Sequence, residues 1–199
     1  MKIGEIYDTK KCGKLKIIRK IERERRDLWE VEFVNTNFIT QAYTHNIIRG
    51  SVNDPYVPRC CGVGYIGEMN KKVDGHPMKS TWEGMLGRCY NHENKDYHRY
   101  KGTKVCDRWL NFSNFVEDVE KMPFYDQRIK HGGLKWSLDK DILGFDKKLY
   151  SPETCMWVPV KINSCVGGLL EMIKMGYVIT PPTKEQVVKY IQDNYIVDI

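Results

Sequence analysis

Residues 136–163 read WSLDKDILGFDKKLYSPETCMWVPVKIN. Trp136-Ser137-Leu138 alternates apolar and polar residues, as a half-buried strand does, and runs into the charged triplet Asp139-Lys140-Asp141. A Gly- and Lys-containing loop follows, then Tyr150-Ser151-Pro152-Glu153. A second short run, Cys155-Met156-Trp157-Val158, leads to Pro159, a residue suited to the first position of a helix. The predicted order is strand, loop, strand, helix. That order brings Asp139, at the end of the first strand, within reach of Asn163 on the helix. In a regular strand Asp141 shares the face of Asp139, and Lys140 points the other way. This stretch gathers hard oxygen ligands, a basic side chain and a compact scaffold. Carboxylate and amide oxygens of this kind suit Mg²⁺ or another divalent cation.

The stretch resembles phage-borne nucleases of the HNH family, the ββα-metal endonucleases of homing type. Their core reads roughly Leu-Asp-basic-Asp, a loop, Tyr-x-Pro-Glu-Asn-Cys-x-Trp, then a helix carrying Asn. Leu138, Asp139, Lys140, Asp141, Tyr150, Pro152, Glu153, Cys155, Trp157 and Asn163 match that pattern. An upstream block is similar too, at Trp82, Met85, Arg88-Cys89-Tyr90-Asn91, Tyr97, Tyr100, Gly102, Val105-Cys106, Arg108-Trp109, Phe112 and Phe115. The resemblance covers roughly residues 60–165. It implies a metal-dependent endonuclease that binds and nicks or cleaves duplex DNA in the cytoplasm of a bacterial host. Asp139 and Asn163 would hold the metal, with Asp141 as a further carboxylate. Two positions depart from the pattern. Lys140 stands where the family has its general-base His, and Thr154 where it has Asn before the Cys. A lysine is charged at neutral pH unless desolvated. Lys140 is therefore expected to act as a base only if burial lowers its pKa, or otherwise as an electrostatic stabiliser, with water or His131 as the base. The alternative is a catalytically inactive relative that binds DNA or a host protein, as a counter-defence or transcription-modifying factor.

The chain of 199 residues carries a net charge of +6 and is 41% hydrophobic and 12% aromatic. That composition fits a folded protein with a real core. The positive charge lies before residue 165; the tail beyond it is close to neutral. A basic body rich in tyrosine and tryptophan fits nucleic-acid binding. Lys95, Arg99, Lys101, Lys104, Arg108, Lys147 and Lys148 are the candidate phosphate contacts, with Tyr97 and Tyr100 interleaved. No apolar run is long enough for a membrane span, and Met1-Lys2-Ile3-Gly4-Glu5 lacks the apolar core of a signal peptide, so no membrane partner is expected. The 7 cysteines include no Cys-x-x-Cys pair. Cys89, Cys106 and Cys155 could form a zinc cluster, but small buried thiols are the expected reading, so structural Zn²⁺ is not expected.

The predicted fold class is α+β. Residues 1–52 read as a small antiparallel β-barrel-like domain, anchored by the alternation Leu28-Trp29-Glu30-Val31-Glu32-Phe33-Val34 and the turn Asn35-Thr36-Asn37. Residues 53–78, rich in Pro and Gly, read as a linker or irregular loop. Residues 79–166 form the HNH-like domain with flanking helices. Ser80 and Glu83 suggest a capping box opening a helix over 80–91, and Asn111 an N-cap for a second helix stopped by Pro123. Residues 167–199 read as a helical tail for docking or oligomerisation, with short helices at 169–175 and after Thr183.

Overall fold

The computed structural model describes residues 1–24, 26–69, 73–145, 147–165 and 182–196. The protein is mixed α+β and divides into two compact units, Met1–Pro58 with Tyr65–Glu68, and Arg59–Gly64 with Met69–Ile199. Among the described residues no helix is long and apolar enough to cross a membrane.

The first unit is a four-stranded antiparallel meander, β1 (Ile6–Asp8), β2 (Lys14–Ile21), β3 (Leu28–Phe33) and β4 (Ile39–Tyr43), in the order β1-β2-β3-β4, followed by α1 (Thr44–Ile48). Alternation along β2 and β3 sends Leu15, Ile17, Val31 and Phe33 into one core with Ala42 and Ile47. A register shift between Ile17 and Arg19 bends β2. The sheet does not close: β1 and β4 remain its two edges, so an open four-stranded sheet stands in place of the expected barrel. The segment read as a linker, residues 53–78, is divided between the two units. Asp54 is buried, its carboxylate accepting from the Tyr56 backbone N–H at 2.8 Å, so residues 53–58 belong to the first unit. Residues 59–64 belong to the second, where Cys60 and Gly64 bridge. A Cβ on Gly64 would sit 2.4 Å from Leu86 and 2.9 Å from Trp82, so this glycine serves close packing.

The second unit is built on α2 (Lys79–Tyr90), α3 (Asp107–Leu110), α4 (Phe112–Glu120) and α5 (Tyr125–His131). Trp82, Met85, Leu86 and Cys89 repeat at helical spacing and are buried. They pack with Trp109, Phe112 and Phe115, where rings meet at 5.2 Å. The indole N–H groups find acceptors inside this core: Trp82 donates to the Trp109 carbonyl at 2.7 Å, and Trp157 to the Val119 carbonyl at 3.2 Å. Asn111 caps α4 as expected, accepting from the Ser113 N–H at 2.9 Å. The Ser80–Glu83 capping box does not form. The helix begins earlier, after Met78, and places Ser80 within its first turn.

Strand β6 (Trp136–Asp139) pairs antiparallel with β8 (Met156–Pro159), with Asp139 opposite Met156. Residues 160–165 are helical, so Pro159 closes the strand and the helix starts one residue later than predicted. Between the two strands lie α6 (Asp141–Gly144) and β7 (Leu149–Tyr150). Strand β7 pairs in parallel with β5 (Lys104–Val105). The last helix, Lys184–Tyr195, begins after Thr183 as predicted, and Thr183 and Gln186 form a full capping box at its start. The helix predicted over 169–175 lies outside the described residues.

Candidate functional site

A cleft of about 250 Å³ in the second unit is lined by Asp139, Lys140, Asp141 and Asn163, together with Arg88, Tyr100, Arg128, Tyr150 and Trp157. The two ends of the quoted stretch thus meet as the order of elements requires: Asp139 from the end of β6, and Asn163 from the helix after β8.

Asp139 is 4% exposed. Its Oδ1 accepts the N–H of Ile142 at 2.8 Å and of Asp141 at 3.1 Å, so the carboxylate caps α6. Among the described residues its Oδ2 takes no hydrogen bond. Burial pushes the carboxyl up to about 6, and the Asp141 charge adds to the rise; the two N–H groups and the Lys140 ammonium oppose it. Asp141 does not continue the strand. Lys140 adopts a helical backbone conformation at the N-cap of α6, and Asp141 becomes the first helical residue. The expected sharing of a strand face by Asp139 and Asp141 is therefore replaced by a turn that aims both into the cleft. Asp141 is then not a free ligand: its carboxylate pairs with the Lys140 ammonium.

Lys140 is 7% exposed. Its Nζ lies 5.6 Å from the ring centroids of both Tyr100 and Tyr150. Burial pushes the Tyr150 hydroxyl up, so that side chain stays neutral. Thr154, at the position where the similar nucleases have Asn, is a buried staple for this loop: its hydroxyl donates to the Leu149 carbonyl at 2.7 Å and accepts from the Ser151 N–H at 3.1 Å.

Two arginines complete the cleft, and neither was among the predicted site residues. Arg88, on α2, lies 5.2 Å from the Tyr100 ring, and its Nε is buried with no hydrogen-bond partner. Arg128, on α5, lies 5.6 Å from the Trp157 ring and reaches the Thr81 hydroxyl at 3.4 Å; burial holds its pKa below the usual guanidinium value. Neither guanidinium has a carboxylate partner among the described residues. Arg88 was visible in the upstream motif, but its place on a helix with an apolar stripe reads as packing. Arg128 left no such signal.

His131 does not enter this cleft. It ends α5, is exposed, and borders a separate depression with Leu134, Lys161 and Tyr195. The chain reverses at Gly132, whose φ is +75°, and this turn carries the imidazole away from Asp139. No imidazole lines the cleft.

Of the predicted phosphate contacts, Lys101, Lys104, Lys147 and Lys148 come together. The pairing of β5 with β7 sets Lys104 opposite Leu149, its N–H donating to the Lys148 carbonyl at 2.9 Å, and Lys148 Nζ reaches the Lys101 carbonyl at 3.3 Å. All four side chains are exposed. Lys95 and Arg99 are exposed on and just before the 3₁₀ turn Tyr97–Tyr100, with no ion pair among the described residues. Arg108 is corrected: its guanidinium is committed to Asp118 at 2.7 and 2.9 Å and to Glu117 at 2.9 Å. That bidentate ion pair ties α3 to α4 and leaves Arg108 poorly placed to hold a phosphate.

Among the described residues no three His, Cys, Asp or Glu side chains gather to hold a metal, so Cys89, Cys106 and Cys155 do not converge. Burial pushes the Cys89 and Cys155 thiols up, to about 11 and about 12, which keeps them protonated and inert. The remaining candidate cation ligands are the free Oδ2 of Asp139 and the side chain of Asn163, hard oxygens that fit a cation keeping most of its waters. No family model matches the chain, and no curated protein or solved structure matches it.

Proposed function

We propose that the protein is a ββα-metal endonuclease of HNH type acting on duplex DNA. The observation that carries this reading is that Asp139 and Asn163, from the strand and the helix of one β-β-helix unit, line a single cleft with two guanidiniums that have no carboxylate partner among the described residues. Asp139 and Asn163 would hold one divalent cation, which when bound neutralises charge building on the phosphate and the leaving oxygen. Lys140 adds a fixed positive charge beside the reacting phosphate. The exposed lysines at 101, 104, 147 and 148 track the backbone on either side. The test is nicking of supercoiled plasmid with Mg²⁺ or Mn²⁺ by wild type and by Asp139→Ala. Wild-type protein that leaves plasmid intact with both metals would overturn the reading.

Binding to duplex DNA should weaken steeply with added salt, because each lysine–phosphate contact releases a counterion. Replacing Lys104 and Lys147 with Ala should flatten a plot of log affinity against log salt by about two contacts, each about 0.9 in slope. An unchanged slope would remove this ridge from the DNA path.

A second reading is favoured by one observation: Lys140 is locked in an ion pair and between two tyrosine faces where an activating base would stand. In this reading the cleft binds DNA, or a host protein, without cleaving. Lys140→His supplies a group that titrates near neutral pH. If wild type is silent and Lys140→His nicks plasmid with Mg²⁺, the chain is a nuclease disabled at one position. If wild type already cleaves and Lys140→His does not exceed it, Lys140 serves catalysis as it stands.

A further inference from the structure

We propose that Arg88 and Arg128 form a phosphodiester clamp that engages nucleic-acid backbone oxygens with no metal bound. The inference rests on the reading that this cleft handles phosphate, but not on cleavage. Three features carry it. First, Arg88 buries its Nε with no hydrogen-bond partner, which is costly unless a ligand accepts that N–H. Second, both guanidiniums are held in place on aromatic faces, Arg88 on Tyr100 and Arg128 on Trp157, so little side-chain freedom remains to be lost on binding. Third, the charge in the cleft is unbalanced. The Lys140 ammonium is matched by Asp141, while neither guanidinium has a carboxylate partner among the described residues. An anion with several oxygens arranged about one centre satisfies all three, because guanidinium forks match phosphate oxygens in pairs.

The extended source, a nucleic-acid strand rather than free phosphate, follows from what borders the clamp. Tyr100 lines the cleft and Lys101 follows it directly, opening the exposed group that includes Lys104, Lys147 and Lys148. A single phosphate would use only the clamp. A strand would use clamp and ridge together.

The experiment is titration in EDTA, which removes any contribution from a divalent cation, with two probes: inorganic phosphate and a short DNA duplex. Wild type should bind phosphate weakly and duplex at least about tenfold more tightly. Arg88→Lys and Arg128→Lys keep the charge but lose the fork, and each should weaken both probes about tenfold or more. Lys104→Ala should weaken the duplex alone. The Arg88 Nε–H resonance of wild type gives a measure free of any folding defect: it should shift and gain protection from solvent exchange as phosphate is added. A resonance that stays put, or Lys variants that bind both probes as wild type does, overturns the clamp. Equal affinity for phosphate and duplex overturns the nucleic-acid source. Because no metal is present, a protein that fails to nick plasmid and still passes this test retains the clamp and loses only the nuclease reading.

Discussion

Asp139→Ala should slow Mg²⁺-dependent plasmid nicking about a thousandfold or more, a loss of about 4 kcal/mol of transition-state stabilisation. Among the described residues the Oδ2 of Asp139 has no competing hydrogen bond, and Asn163 has no charge with which to replace this carboxylate. Asp141 is a weak substitute, since its carboxylate is already paired with Lys140. Alanine also removes the cap of α6, so a loss of rate alone would confuse a missing ligand with a displaced turn. Asp139→Asn separates them: its amide oxygen can still accept from Asp141 and Ile142, but it carries no charge to attract a cation. Both variants should be nearly inactive while only the alanine variant loosens the turn. The rate should also fall as pH drops through about 6, because the protonated carboxyl of Asp139 is a poor ligand. Cleavage by Asp139→Ala at the wild-type rate would place the chemistry elsewhere or assign it to a contaminant.

What could be read from the sequence follows the range of the interaction involved. The strand from Leu28, the cap at Asn111 and the helix after Thr183 depend on residues a few positions apart, and each forms, the strand ending at Phe33, one residue before the predicted Val34. The order strand, loop, strand, helix around Asp139 and Asn163 is local too, and it brings both residues into one cleft. The failures are of two kinds. Ser80 and Glu83 have the right spacing for a cap, yet the helix starts before them because Met78 is fully buried and fixes where the helix begins. His131 is close to Asp139 in sequence, but a single left-handed glycine turns it to another surface. Arg128 was invisible for the opposite reason. It sits on a short helix with no buried residue, so periodicity gave no sign of it, and only the packing of Trp157 beneath its guanidinium brings it to the cleft. Arg108 shows the same limit: its basic motif was plain, and its commitment to Asp118 came from the approach of α4.

Asp139→Asn should raise the stability of the metal-free protein at neutral pH, by up to about 3 kcal/mol, and by little near pH 4. The sign follows from the direction of the shift. Burial raises the Asp139 carboxyl from its ordinary 3.8 to about 6. Between those values the folded protein holds a proton that the unfolded chain has lost, so stability falls as pH rises through that window. Below it both states are protonated and burial carries no ionisation cost. Above it the folded protein keeps a desolvated carboxylate, only partly compensated by two N–H groups and Lys140. Asparagine is neutral throughout and retains the helix cap, so its advantage grows from pH 4 to pH 6 and then levels off. Thermal unfolding in EDTA across that range measures it. Adding Mg²⁺ at pH 7 should narrow the gap, since a cation that binds the folded wild type stabilises it alone. A variant that melts with wild type at every pH would mean that the surrounding cations already offset the charge of Asp139. A gap unchanged by Mg²⁺ or Mn²⁺ would mean that Asp139 holds no metal, leaving the cleft to bind phosphate through its arginines alone.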